Sequence, residues 1–373
     1  MMSTNCKFFT GKSPCKHYWK NPKIKCNKNC SFFEKYQTRI IIIKRGSAGD
    51  IIKTTPILRG LKKKHPNSEI SWFIEEKNQE LLFNNPFVER IIVDKPEIVR
   101  GLISEQFDLL ISLDKDYESL SLVNLISAKK KMGFGMNKKG KVIPLNKEAK
   151  YFYKICTDNW GLKKTNNKTY QEMFFEIIGV SWQKEDYVLE LTKEEENKAR
   201  KWLEKKNVSK KKIVIGINTG CNPSWGKRMW DEKEIVKFIE LSKKFNPIIL
   251  LFGGNLEAQK NQNIKKKSKY KKLIDTTNKF SLRQFAGIIK QCDVIITGDT
   301  LAMNLALAVK TKSIILFGPT PVQEIEDFKR STKLCSKLDC LNCYGQIPCT
   351  KKPDCMELIK PEKVIEEILN IKK

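Results

Sequence analysis

The sequence predicts an α/β fold of two doubly wound halves, and three observations predict it. Short apolar runs, each ending at Gly, Asp or Thr, alternate with stretches of helical period. The same order of events occurs twice, from "RIIIIKRGSAGD" at Arg39 and from "KIVIGINTG" at Lys212. At 373 residues the chain is also long enough for two domains, each with its own core.

Taken in order, residues 1–37 hold Cys6, Cys15, Cys26 and Cys30 with no apolar period, an appended Cys-rich extension. The N-terminal half is expected over 38–185. It opens on the continuous apolar strand "RIIII", read as buried, which runs into a small-residue turn. From Asp50, the residues Ile51, Ile52, Pro56, Ile57, Leu58 and Leu61 recur at helical spacing before the "KKKHP" stop. Pro56 falls inside this pattern, so the helix kinks there or begins later than Asp50. "EISWFIEE", "RIIVD" and "FDLLISL" are the next strands. A boundary near 181–190 precedes the C-terminal half, 186–330, which opens with a helix capped by the box Thr192 and Glu195. "KIVIGINTG", "PIILLFGG", "LIDTT", "CDVIITGD" and "KSIILFGP" are its strands, and 331–373 is a Cys-rich tail with a C-terminal helix. In such sheets ligands bind beyond the carboxyl ends of the strands, so the loops there are the candidate sites.

Composition narrows the chemistry. Only His17 and His65 occur, which removes Ser-His-Asp and Cys-His mechanisms and leaves acid–base work to carboxylates. The formal net charge of +29 suits an anionic substrate or membrane face. Lys is spread along the chain and not gathered beside aromatics as a base-stacking groove requires, so nucleic acid is not the expected partner. No run approaches the roughly 18 apolar residues of a membrane span and no signal peptide is legible, so a cytoplasmic location is expected.

Three loops carry the site. In "RGSAGDIIKTTP" a small-residue turn presents Gly49 and Asp50 at a helix start; Asp50 either caps that helix or faces the crevice. In "NTGCNPSWGKRMWDEKEI" Asn218, Thr219 and Gly220 are followed by Lys227 and Arg228, a hydroxyl–amide–cation set that suits phosphate. A helix capped by Asp231 is expected to follow, and the alternative is an exposed basic loop with Trp225 and Trp230 beneath it. In "GDTLAMNLALA" Gly298, Asp299 and Thr300 stand at a strand end before a helix of small apolar residues, where open N–H groups and the helix dipole suit a diphosphate. Asp299 there fits better as an acceptor for sugar hydroxyls; a plain helix cap is the alternative.

Together "GDIIKTTPILRGLKKKHP", "KRMWDEKE", "LLFGGNLE" and "GDTLAMNLALAVKTKSIILFGPTP" resemble the ADP-heptose:lipopolysaccharide heptosyltransferase family, glycosyltransferase family 9, from about residue 39 to the C-terminus. The resemblance implies the GT-B arrangement of two Rossmann-like domains and metal-free transfer of a sugar from an ADP-sugar donor with inversion. It implies an acceptor in the N-terminal half, an anionic glycolipid at the inner membrane face, and a donor in the C-terminal half. Asp50 takes the place of the general base, and Asp299 and Thr300 match the family's Asp-Thr. Glu257, after Gly253 and Gly254, stands where the donor ribose is bound. The family's Lys-x-Trp cation lands on Arg228, with Lys227 adjacent, and the sequence leaves open which of them meets the diphosphate. Leu301 and Asn304 replace a Gly and a His usual in the family. Another nucleotide sugar, a protein acceptor, a non-catalytic binding module and a zinc-containing nucleic-acid-binding protein are the competing readings.

No cofactor is expected for transfer. In the tail, Cys340, Cys343, Cys349 and Cys355 form C-x2-C-x5-C-x5-C, a spacing for structural zinc or iron, and Cys335 with Cys340 and Cys343 resembles an iron–sulfur spacing. Cys6, Cys15, Cys26 and Cys30 form a looser set of the same kind.

Overall fold

The computed structural model describes residues 6–371 apart from residues 10, 12, 28, 158–160, 209–211, 223–226 and 346–348. The first sheet runs β3-β2-β1-β4-β5-β6, with β1 Thr38–Ile43, β2 Ser68–Ile74, β3 Arg90–Val93, β4 Gln106–Ser112, β5 Ser127–Met136 and β6 Val142–Pro144. The second runs β12-β11-β10-β7-β8-β9, with β7 Val214–Asn218, β8 Ile248–Phe252, β9 Leu273–Asp275, β10 Val294–Gly298, β11 Ser313–Phe317 and β12 Ser331–Cys335. All pairings are parallel except β5 with β6. The two orders are the same, and in each the direction of winding reverses at the first strand of the half, between β1 and β4 and between β7 and β10. That reversal opens a crevice at the strand ends.

Ile40, Ile41, Ile42 and Ile43 are each 0% exposed, because both faces of a central parallel strand are covered. Strands toward the sheet margins escape this rule. The Lys-rich start of β5 is largely exposed and only Met132–Gly135 is buried, while β12 is only partly covered, so the predicted tail begins inside the sheet. Neither carries the continuous apolar signal of a central strand. The helix predicted from Asp50 is two helices, Ala48–Thr54 and Pro56–Lys64, with Pro56 at the first position of the second. The box at Thr192 forms: its N–H donates to Glu195 Oε2 at 2.7 Å and its Oγ1 accepts from the Glu195 N–H at 3.1 Å. The C-terminal helix Pro361–Ile371 buries Val364, Ile365 and Ile368 in the core of the second sheet.

The halves are fastened to each other. Ser281 Oγ and the Leu282 N–H donate to the Glu80 carboxylate at 2.9 and 2.8 Å, and the buried Arg283 donates to the Glu80 and Phe83 carbonyls. Helix Leu301–Ala308 lies against helix Ala48–Thr54 of the opposite half and buries every residue from Ala302 to Ala308. A β-carbon on Gly49 would stand 3.0 Å from Asn304 Nδ2 and 3.5 Å from Leu301 Cα. The small apolar residues of "LAMNLALA" thus serve a helix covered by its own sheet and by the facing half.

Candidate active site

Between the halves lies a cleft of about 1060 Å³ into which both sheets' reversal points open. From the first half it receives the turn after β1, with Ser47, Gly49, Asp50 and Lys53; from the second, Gly220, Arg228, Gly253, Glu257, Asp299 and Thr300. Ser47 precedes the helix at φ 49°, a backbone region costly for a non-glycine residue, and Asp50 follows in the first turn.

Asp50 keeps 45% of its side-chain exposure, and its Oδ1 is 2.9 Å from the buried Lys53 ammonium. Burial would raise its pKa, but Lys53 and then Lys44 outweigh that and hold the carboxyl down to about 2. Lys53 Nζ also sits 3.8 Å above the Tyr170 ring. Burial lowers the pKa of Lys53, yet Asp50, Asp299 and Glu324 together raise it above the ordinary Lys value. Sequence reasoning passed over Lys53, although its spacing of three from Asp50 on one helix was available as a signal. It also passed over Glu324 and Tyr344, which line the cleft from far along the chain, Tyr344 donating to Glu324 at 2.6 Å. Burial raises the Glu324 pKa against the lowering hydrogen bonds of Tyr344 and Tyr170.

In the second half, Arg228 Nη1 donates to the Asp299 carbonyl at 3.0 Å and lies 3.7 Å from its carboxylate. Lys227 turns away from the cleft, to Asp231 at 2.5 Å and Asp354 at 2.7 Å. Asp231 therefore occupies the N-cap position without capping through its side chain. Trp230 is fully buried and donates to the Ile359 carbonyl, whereas Trp225 lies outside the described residues. Thr219, expected to offer its hydroxyl to phosphate, faces inward: its Oγ1 donates to the Phe252 carbonyl at 2.8 Å and meets Asn261 at 2.7 Å. Its neighbour Asn218 lines the cleft instead and donates to Thr300 Oγ1 at 3.2 Å. Thr300 makes no side-chain cap on the helix it precedes. Gly298 lies behind the lining, where a β-carbon would sit 1.7 Å from the Arg228 carbonyl oxygen; only glycine lets the two backbones meet. Glu257 reaches the cleft and accepts from the Gly254 N–H at 2.8 Å.

Cys156 and Cys221 line the cleft, and the cysteines of the two clusters do not. Burial first, then Asp354 and the thiols of Cys343, Cys349 and Cys340, push the Cys355 thiol up to about 11, so these four share one neighbourhood. Among the described residues no group of three or more His, Cys, Asp or Glu side chains is arranged to hold a single metal ion, and no helix is long and apolar enough to cross a membrane.

Lipooligosaccharide heptosyltransferase 2 of Campylobacter jejuni serotype O:2 is 30% identical over 174 residues, 43% of this chain and 52% of that protein. The chain thus spans about half the length of this curated relative. Lipopolysaccharide heptosyltransferase 1 of Campylobacter coli is 24% identical over 305 residues, 76% of this chain and 84% of the other. Among solved structures, the glycosyl transferase family 9 protein of Veillonella parvula superposes with a TM-score of 0.71 at 19% identity, covering 90% of this chain and 97% of its own. E. coli heptosyltransferase WaaC with ADP-2-deoxy-2-fluoro heptose gives 0.58 at 18%, covering 89% and 99%. At such identity these two likenesses speak for the GT-B fold. Residues 97–359 match the model of glycosyltransferase family 9 (heptosyltransferase), and the chain belongs to that family.

Proposed function

We propose that the protein transfers a heptose, with inversion, from an ADP-sugar to an anionic glycolipid acceptor of the lipooligosaccharide-core kind. The observation that carries this reading is the opposition of Asp50 and the Arg228–Asp299–Thr300 constellation across one cleft. The names of the Campylobacter relatives support the acceptor class, and the ligand of the E. coli protein supports the donor.

In this reading the acceptor hydroxyl attacks the anomeric carbon from the Asp50 side. The new carbon–oxygen bond forms as the bond to the β-phosphate breaks; the acceptor's proton goes to Asp50, and ADP leaves with the bonding pair. Arg228 and the N-terminus of helix Leu301–Ala308 take up the charge that develops on the diphosphate. Asp299 and Thr300 are assigned to sugar hydroxyls and phosphate, and Glu257, beside Gly220 and Gly253, to the ribose. Lys227 holds the tail through Asp354 and takes no part. Cations built into the protein fill the electrostatic role, so the transfer is read as metal-free. A structural zinc or iron on Cys340, Cys343, Cys349 and Cys355 is assigned to the tail, supported by their spacing and shared neighbourhood. Work at the inner, cytoplasmic membrane face is supported by the net charge of +29 and needs no spanning helix.

The test is release of free nucleotide from a panel of nucleotide sugars, with and without lipooligosaccharide core acceptors, comparing wild type with Asp50→Ala and Asp299→Ala. Acceptor-dependent release of ADP that Asp50→Ala lowers at least about 10³-fold, with circular dichroism unchanged, is expected. A donor that binds and never turns over would leave only a binding module.

A further inference from the structure

A second chamber, of about 230 Å³, lies inside the N-terminal extension, away from the cleft, and Cys6, Cys15, Cys26 and Cys30 all line it. All four are free thiols. The rest of the wall is mainly aromatic and aliphatic, Phe8 and Phe32 included. Cysteines spaced C-x8-C-x10-C-x3-C, on a stretch with almost no regular structure, converge on one apolar chamber.

The extension has little else to fold around. Its helix Lys16–Lys20 buries no residue, no described residue before Thr38 is in a strand, and none joins the cores of the two sheets. A segment of this size cannot bury enough apolar surface to hold one shape, and such segments are ordinarily fixed by disulfides or metal. A second observation borders the same chamber. His17 is packed between Phe8 and Phe32, ring centroids 4.6 and 4.1 Å away, and its Nε2 is buried with no hydrogen-bond partner among the described residues. A buried imidazole nitrogen left without a partner is costly, and a metal or a metal-bound sulfur would satisfy it. Lys7 and Lys16 sit 4.9 and 4.8 Å from the Phe8 ring, Lys7 also pairing with Glu34, so basic side chains border the chamber wall.

The size of the chamber bears on what fills it. A tetrahedral zinc is touched by its sulfurs at about 2.3 Å and leaves no void. Here no three ligands close on one point, and the thiols stand around a space large enough for several atoms. We infer that the extension is a separate metal–thiolate module in which Cys6, Cys15, Cys26 and Cys30 hold an iron–sulfur cluster, a group that four cysteine thiolates can ligate.

The full chain, expressed with iron available and isolated without oxygen, is to be analysed for iron, zinc and acid-labile sulfide per chain, and for the visible absorption of an iron–sulfur centre. Cys26→Ser/Cys30→Ser is expected to lose about four iron and four sulfide relative to wild type, whatever metal the tail cysteines hold. Nucleotide-sugar binding and far-UV circular dichroism are expected to stay unchanged, because the extension contributes to neither sheet. Thiol titration of the native wild type is a second readout, with the four N-terminal cysteines protected until the cluster is removed. Iron and sulfide unchanged by the substitutions, free reaction of all four thiols in the native chain, or loss of a single zinc would each overturn the inference.

Discussion

Replacing Lys53 by Met tests the electrostatics of the cleft at its centre. The shift of Asp50 from 3.8 to about 2 corresponds to roughly 2.4 kcal/mol of preference for the ionised form. With the carboxylate 45% exposed, solvent screening reduces this to the order of 1 kcal/mol. The sign follows from the direction: a folded pKa below the unfolded value gives stability that is present above about pH 4 and lost as pH falls through about 2. In wild type, kcat/KM for nucleotide release should therefore show no Asp50 limb from neutral pH down to pH 4.5. Lys53→Met removes the main stabilising cation and its hydrogen bond and leaves burial, which favours the protonated acid, against Lys44 and the hydrogen bond from Ser47. The Asp50 pKa should then rise above its ordinary value by roughly one unit. An acid limb should appear near pH 5, with a several-fold loss between pH 7 and 4.5. Glu324→Gln, made in the Lys53→Met background, separates this limb from titration of the buried Glu324. A flat profile in Lys53→Met, or a limb near pH 5 already present in wild type, would refute the reasoning.

Two substitutions test the frame around the site. Gly298→Ala would put a β-carbon 1.7 Å from the Arg228 carbonyl oxygen; a loss of more than about 2 kcal/mol in thermal unfolding is expected, with nucleotide protection weakened in the same variant. Arg283→Met removes the guanidinium that donates to Glu195 at 2.5 and 2.6 Å and should cost about 3 kcal/mol. Glu195 is held down to about 2 mainly by Arg283, against an ordinary value of 4.5. The stability it contributes is thus complete above about pH 4.5 and lost toward pH 2, and thermal melts across that window should be flatter in Arg283→Met than in wild type.

What was legible in the sequence follows from where the signal is local. Central strands are covered on both faces, so "RIIII" and "CDVIIT" announce themselves, and the loops after them are sites by topology. The start of β5 and the edge strand β12 are polar enough to read as loop. Within the loops, the choice between neighbours was hidden. Asn218 and Thr219 leave the end of β7 on opposite faces, and only the first enters the cleft. Lys227 and Arg228 were separated by Asp354, which lies 127 positions further on and draws the lysine away. No sequence period reports a contact of that range. Glu324 and Tyr344 reach the cleft in the same way, from positions that no cleft motif marks.

The charge order across the cleft bears on where the barrier is lowered. A carboxylate held near pKa 2 is a weak base, and it takes a proton only once the acceptor oxygen has become acidic through bonding to the anomeric carbon. Bond formation must then be advanced before the proton moves, and advanced bond formation depends on the leaving diphosphate being well received. In the proposed transfer the weight therefore falls on Arg228 and the first turn of helix Leu301–Ala308, where the sequence resemblance is also least complete. Asn304 stands where a His is usual; its Nδ2 donates to the Thr300 carbonyl at 3.1 Å, and its buried Oδ1 accepts no bond among the described residues. An uncharged amide in that place adds no cation to the diphosphate side. Asn304 borders the cleft beside the Gly49 turn of the other half, with that acceptor oxygen buried. In the proposed transfer, leaving-group stabilisation is thereby assigned to one arginine and one helix terminus.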